Sequence, residues 1–305
     1  MNLQSAPSFT QESQVQLLFP IHRLAVLTLG LTIICAVSVR AQLHLKTTAP
    51  VNVESESEGS TENLDRRIRD YNIVITFHPT STTAHYNRAR LLEARGNIEA
   101  ALVDYNAVIE LKPRYAPAYN NRALIYLSKG RLDEAVADWN RAIQINPRYA
   151  DAYSDRGVAL AAKGDVDAAF LDQNRAIDLD PKFANPYFNR GVLQLTKGNL
   201  DAAASDFDRA INLFPKFADA YLNRGTVYFA LNHFEQALTN YQQVILLDPN
   251  RADVYLNRGI VHLVLGRESE AAKDFAKCLE LDPSLKPTLD IRVKIARKLL
   301  SGEIR

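Results

Sequence analysis

Residues 116–149 read APAYNNRALIYLSKGRLDEAVADWNRAIQINPRY, and the same pattern returns up and down the chain. Its proline, Pro147, has counterparts at Pro79, Pro113, Pro181, Pro215, Pro249 and Pro283, all 34 residues apart. A fixed period of this length means one supersecondary unit stacked on copies of itself. With the proline as position 32, six complete units run 82–115, 116–149, 150–183, 184–217, 218–251 and 252–285.

Each unit predicts two helices. Positions 4, 8 and 11 share one helical face, and so do 20, 24 and 27, because the steps are four and three. Position 8 is Ala89, Ala123, Gly157, Gly191, Gly225 and Gly259, and position 20 is alanine in all six units. Small residues at both sites let two antiparallel helices approach closely. Position 24 is Tyr105, Trp139, Gln173, Phe207, Tyr241 and Phe275, a bulky knob in all but unit three, which is therefore expected to pack more loosely. Gly96, Gly130, Gly164, Gly198 and Gly266, with Asn232 in unit five, sit at position 15, where a left-handed C-cap ends the first helix. Acids at position 18 (Glu99, Asp133, Asp167, Asp201, Glu235) suit the positive end of the second helix.

The chain has 305 residues, 47% hydrophobic and 23% charged, with a formal net charge of +1. That balance lacks the basic excess of a nucleic-acid binder. Two cysteines, Cys35 and Cys278, make neither a disulfide framework nor a zinc site. Residues 1–45 carry an apolar run at 24–39, with His22 and Arg23 before it and Arg40 after it. The run fits a secretory signal cut after Ala41 or a short membrane anchor, and a retained anchor is favoured by the long preceding segment. Either way the repeats are expected to be exported or membrane-anchored. Residues 46–61, rich in serine and glutamate, read as a flexible acidic linker.

The period, with small residues at 8 and 20, an aromatic at 24 and proline at 32, resembles the tetratricopeptide repeat (TPR). The resemblance covers residues 82–285. It implies an all-α fold, a right-handed TPR superhelix (α-solenoid) of six helix-pair repeats whose first helices line a concave groove. Residues 62–81 match only the second half of a unit, through Tyr71, Val74 and Pro79, and read as an N-terminal half-repeat helix. Residues 286–305 read as a C-terminal capping helix, with Leu289, Val293, Ala296 and Leu300 on its packing face and Arg292, Lys294, Arg297 and Lys298 elsewhere.

In that geometry position 6 looks into the groove. It is Asn87, Asn121, Asp155, Asn189, Asn223 and Asn257. A row of carboxamides offers both donors and acceptors to an extended peptide backbone, similar to the ladder in the TPR superhelix of O-linked N-acetylglucosamine transferases. The alternative is that these amides bond the neighbouring repeat. The second half of the groove would add Phe188, Val192, Leu195, Leu222, Phe229, Leu256, Ile260 and Leu263 as an exposed apolar lining. The lysine–asparagine clamp of chaperone-binding members is missing at positions 5 and 9. Arginine fills position 7 in all six units and a carboxylate fills position 23 in five, predicting a repeated bridge. Arg114, Arg148, Lys182 and Lys216 form a basic line at position 33.

No histidine spacing, glycine-rich loop or activated nucleophile signals catalysis, a cofactor or a metal. The resulting expectation is a non-enzymatic scaffold that binds a protein or peptide in its groove during assembly of an envelope or membrane complex, with the membrane as a further contact if the anchor stays. A structural spacer, a self-associating subunit and a regulatory subunit of a separate enzyme are the alternatives.

Overall fold

A computed structural model describes residues 61–301. The apolar run 24–39 and the linker through residue 60 lie outside the described residues, so neither expectation is met or refused there. No helix among the described residues is long and apolar enough to cross a membrane.

The described chain is all-α. α1 (Thr61–Phe77) stands alone, and six helix pairs follow. These are α2 (Thr82–Ala94) with α3 (Ile98–Leu111), α4 (Ala116–Ser128) with α5 (Leu132–Ile145), and α6 (Ala150–Ala162) with α7 (Val166–Leu179). Then come α8 (Ala184–Thr196) with α9 (Leu200–Leu213), α10 (Ala218–Ala230) with α11 (Phe234–Leu247), and α12 (Ala252–Val264) with α13 (Glu268–Leu281). A short 3-10 turn at Pro283–Leu285 leads into α14 (Lys286–Leu300). The chain divides into two compact units between Arg190 and Gly191, within α8.

The punctuation works as its chemistry demands. Each residue before a period proline is forced out of the helical region, as at Lys112 (φ −140°, ψ 80°) and Asp248 (φ −143°, ψ 90°), so the second helix of each pair stops there. At position 15 the backbone turns left-handed, with φ between 72° and 88° at the five glycines and 61° at Asn232. The next residue's N–H then reaches back to the helix, as from Arg131 to the Tyr126 carbonyl at 2.8 Å, which is the Schellman pattern. Position 4 ties the turn down from the other side. Tyr119, Tyr187 and Tyr255 donate their hydroxyls to the carbonyls of Pro113, Pro181 and Pro249. His85 does the same job with Nε2, 3.0 Å from the Pro79 carbonyl.

In the first unit, one core gathers Ala89, Leu92, Ala101, Tyr105, Val108 and Ile125, and another gathers Ala123, Leu127, Ala135, Trp139 and Ala142. In the second unit Tyr241, Val244, Val254, Ile260, Ala271, Cys278 and Ala296 form a continuous core. Position 8 is small because the knob at position 24 lies on it: a Cβ at Gly225 would sit 2.7 Å from the Tyr241 ring, and one at Gly191 2.8 Å from Phe207. Unit three is not loose. Gln173 is as buried as the rings it replaces, and its amide both accepts from the Ser154 hydroxyl (3.1 Å) and donates to the Ser154 carbonyl (2.9 Å). The sequence supplies serine at position 5 there, so a polar knob meets a polar socket.

The capping face also differs from expectation. α14 buries Leu289, Arg292, Ala296 and Leu299, while Leu300 is exposed and Val293 only half-buried. The interval from 289 to 292, 296 and 299 follows helical steps of three and four, and the arginine is drawn in with it.

Candidate peptide-binding site

The asparagine row is largely engaged in the stack itself. Asn121 donates to the hydroxyls of Tyr86 and Tyr105, both 3.2 Å away in the preceding repeat. Asn189 donates to the Ser154 hydroxyl at 3.3 Å. Asn257 accepts from Arg292 at 3.0 Å. Asn223 is buried on α10, and Asn87 is half-buried on α2. A free ladder of carboxamides is therefore not what these side chains form; three of the five join neighbouring repeats or the last helix.

The apolar lining needs a plainer correction. Phe188, Val192, Leu195, Leu222, Phe229, Leu256, Ile260 and Leu263 are all at most 8% exposed. Leu222, Phe229, Leu256, Ile260 and Leu263 belong to the core of the second unit, packed with Tyr241, Val254 and Val261. Burial of apolar area is worth more in the stack than on an open face.

Position 7 realises the predicted bridge and extends it. Arg88, Arg122, Arg156 and Arg258 each hold an aspartate through Nε and Nη2, at 2.5–2.8 Å, on the second helix of their own pair. Nη1 of each reaches back to position 25 of the preceding unit, at Asn72, Asn106, Asn140 and Gln242. Unit five exchanges the parts. Arg224 meets a neutral amide at Asn240 and finds its carboxylate at Asp208, in the preceding unit. These arginines carry their counter-charge within the fold and are not a phosphate site. The basic residues at position 33 are exposed.

A polar chain in the first unit leads from the core to the surface. It begins at buried Trp139, whose Nε1 donates to Asn120 Oδ1 at 3.1 Å. Asn120 donates to Asn121 Oδ1, and Asn121 donates to Tyr86 and Tyr105. Tyr105 then donates to Glu93 Oε2 at 2.9 Å. Among the described residues the Tyr86 hydroxyl proton and the second amide proton of buried Asn120 have no acceptor, and Glu93 retains its second oxygen. The chain thus ends, on half-buried side chains, in one donor and one acceptor. Around it stand aromatic rings. Tyr86 meets Tyr115 edge-on, with centroids 5.2 Å apart at 86°, and Lys112 lies over Tyr115. Burial pushes the pKa of the Tyr149 hydroxyl up, with Asp151 and then the neighbouring Tyr86 and Tyr115 adding to it. Burial pushes the Glu93 carboxyl up, with the Tyr105 hydrogen bond opposing, and burial pushes the Tyr86 hydroxyl up as well.

Sequence reasoning passed over this cluster, although a signal was present. Position 12 is Glu93 in unit one and Leu127, Ala161, Leu195, Phe229 and Leu263 in the rest, so a charge appears once where the repeat is apolar. Position 34 is aromatic in the first four units, and tyrosine only in the first two, at Tyr115 and Tyr149. Among the described residues no three histidine, cysteine or acidic side chains gather as a metal site requires.

Family models described as TPR repeat or tetratricopeptide repeat match residues 89–130, 123–164, 150–183, 188–232, 225–266 and 252–285. No curated protein matches the sequence. Among solved structures, the APC/C hetero-tetramer Cut9-Hcn1 aligns with a TM-score of 0.67 at 19% identity, over 76% of this chain and 46% of that one. A tetratricopeptide repeat protein from Parabacteroides merdae aligns at 0.58 and 20% identity, over 77% and 93%. Pseudomonas aeruginosa pilF aligns at 0.60 and 17% identity, over 72% and 94%. At these identities the likeness concerns the fold. The matched segments together span more than half of the chain, in the register its prolines set, and the chain belongs to the tetratricopeptide repeat family.

Proposed function

We propose that the protein is a non-catalytic scaffold whose first repeats bind an extended segment of another polypeptide, across Tyr86, Glu93, Tyr115 and Tyr149. The Tyr86 hydroxyl donates to a backbone carbonyl of the segment, and Glu93 accepts a backbone N–H or a cationic side chain. The tyrosine rings offer flat, rigid faces to proline or apolar side chains, at low entropic cost. The observation that carries this reading is the polar chain from Trp139 to the surface. It fixes the donor and the acceptor in place before any partner arrives, which lowers the cost of binding.

The apolar run 24–39 and the acidic spacer after it support a setting at a membrane, as an anchored or exported adaptor in the assembly of a membrane or envelope complex. Fractionation with and without residues 1–45 tests that setting: loss of membrane association or export on deletion supports it, and unchanged distribution opposes it.

The binding reading is tested by selecting displayed peptides on the full-length chain and titrating the best of them. Tyr86→Ala is expected to weaken binding at least tenfold, and Glu93→Gln about threefold, as the loss of a hydrogen bond from a partly desolvated acceptor requires. Asn223→Ala, in the other unit, is expected to leave affinity unchanged. Selected peptides that bind Tyr86→Ala as well as the parent would refute the site.

A further inference from the structure

Unit one carries a second charge where the other repeats have none. Position 9 is Arg90 in the first unit and Leu124, Val158, Val192, Thr226 and Ile260 in the rest. Steps of four and three place Tyr86, Arg90 and Glu93 in one row along α2, with the arginine between the other two. Arg90 is half-buried and makes no hydrogen bond or ion pair with the described residues. The arginines on either side of it in the sequence are both paired, Arg88 with Asp104 and Arg95 with Asp65. Arg90 still acts on its neighbours in the row. Burial raises the pKa of the Tyr86 hydroxyl and of the Glu93 carboxyl, and the Arg90 charge opposes that rise at both.

The row also has a length that a bound segment must match. Glu93 lies seven residues after Tyr86, about 10 Å along a helix that rises roughly 1.5 Å per residue. An extended chain crosses that distance in about three residues. A segment whose backbone meets the Tyr86 hydroxyl at one end and Glu93 at the other therefore passes over Arg90 between them. The charges around this stretch favour an acid there. Lys112, over the Tyr115 ring, is a second cation that makes no ion pair with the described residues. Glu93 already has one oxygen bonded by Tyr105, and the further carboxylate Asp151 acts on Tyr149, at the start of the next pair.

Resting on the binding reading above, we propose that Arg90 selects the partner: the bound segment carries an aspartate or glutamate between the carbonyl held by Tyr86 and the N–H held by Glu93, and Arg90 binds that side chain. The planar fork of a guanidinium gives a carboxylate two parallel hydrogen bonds. A half-buried setting strengthens the pair relative to one in open water. The carboxylate belongs to a side chain and not to a chain end, because the backbone continues past Arg90 to Glu93. Tyr86 and Glu93 hold any extended backbone, and Arg90 supplies the sequence preference that backbone hydrogen bonds lack.

Peptides selected on the full-length chain, then made with amidated C-termini and titrated calorimetrically, test this in a double-mutant cycle. The selected peptides are expected to share one aspartate or glutamate, and its change to asparagine or glutamine is expected to weaken binding to the parent about tenfold. On Arg90→Met, which keeps a long apolar stem and drops the charge, the same change is expected to alter affinity by less than about twofold. Arg90→Glu is expected to reverse the preference, so that a peptide with lysine in place of the acid binds better than the acidic one. Both peptides are compared on the same variant, so a general loss of stability cancels. The two readings fail separately. Peptides that lose affinity on Tyr86→Ala but share no acid, or whose acid matters as much on Arg90→Met as on the parent, would overturn the Arg90 assignment and leave the site standing. Binding abolished by amidation would show that Arg90 holds a chain end, and would overturn the side-chain assignment. Binding unchanged on Tyr86→Ala would refute the site and the Arg90 assignment with it.

Discussion

The position-7 arginine shows how one side chain can hold three helices. It draws a carboxylate from its own pair, an oxygen from the pair before, and lies over the position-4 ring, as Arg156 lies 5.5 Å from the Tyr153 centroid. Such a pair sets register more than it adds stability, and breaking it is costly because the remaining charge is left uncompensated. Asp138→Ala is expected to destabilise by about 3 kcal/mol, since the half-buried Arg122 is then left beside a neutral amide alone, and Asn106→Ala by only about 1 kcal/mol. Urea unfolding at pH 7.5 separates the two. The bridge was legible in the sequence because arginine and acid recur 16 residues apart. The exchange in unit five was not, because Asp208 reaches Arg224 from a neighbouring unit and only packing reveals that. His262 gives a pH signature. Its Nδ1 is buried with no hydrogen-bond partner among the described residues, and burial holds its pKa below the ordinary value near 6.5, against the nearby Asp274 carboxylate, with Arg258 and Arg267 lowering it further and Glu270 raising it. The folded chain then binds this proton less readily than the unfolded one. The stability that follows is fully present above about pH 6.5 and is lost as pH falls through that value towards the depressed one. His262→Leu, the residue of Leu92 and Leu160 at the same position, is expected to flatten the loss between pH 7.5 and 5.5 in chemical denaturation; an unchanged slope would contradict this.

At the level of the helix, most of what the sequence proposed is in place. The prolines end the second helices, and the position-15 residues end the first. Two kinds of glycine make opposite demands there. A Cβ at Gly130 would meet no heavy atom within 4 Å, so Gly130→Ala is expected to cost about 1 kcal/mol through its left-handed backbone alone. Gly225→Ala instead drives a methyl into the Tyr241 ring and is expected to cost about 2 kcal/mol. Gly130→Asn should recover much of the first loss, as Asn232 already does at its site, and Gly225→Asn none of the second; thermal melting of the four variants checks the order. The misassigned face of α14 has a physical cause. Its charges were read as a polar outer side, yet Arg292 lies on the same helical row as Leu289 and Ala296, and a long aliphatic stem can be buried with them.

Across the molecule, periodicity carried the fold, and exposure decided the site. A 34-residue period fixes which residues touch within a pair, so the helices, their ends and the small-against-large packing could be read in advance. Whether a groove-facing side chain remains free depends on what the neighbouring repeat offers it. Asn121 found two tyrosine hydroxyls, Asn189 a serine, and the leucines of the second unit a core. Departures from the repeat proved more informative than the repeat itself: Glu93 at an apolar position marks the surface we assign to the partner. Amide hydrogen exchange on the full-length chain, with and without a peptide selected on it, tests that assignment most directly. The account predicts slower exchange over residues 82–94 and 115–124 when the peptide is present. Protection confined to residues 218–264, with 82–124 unchanged, would contradict it.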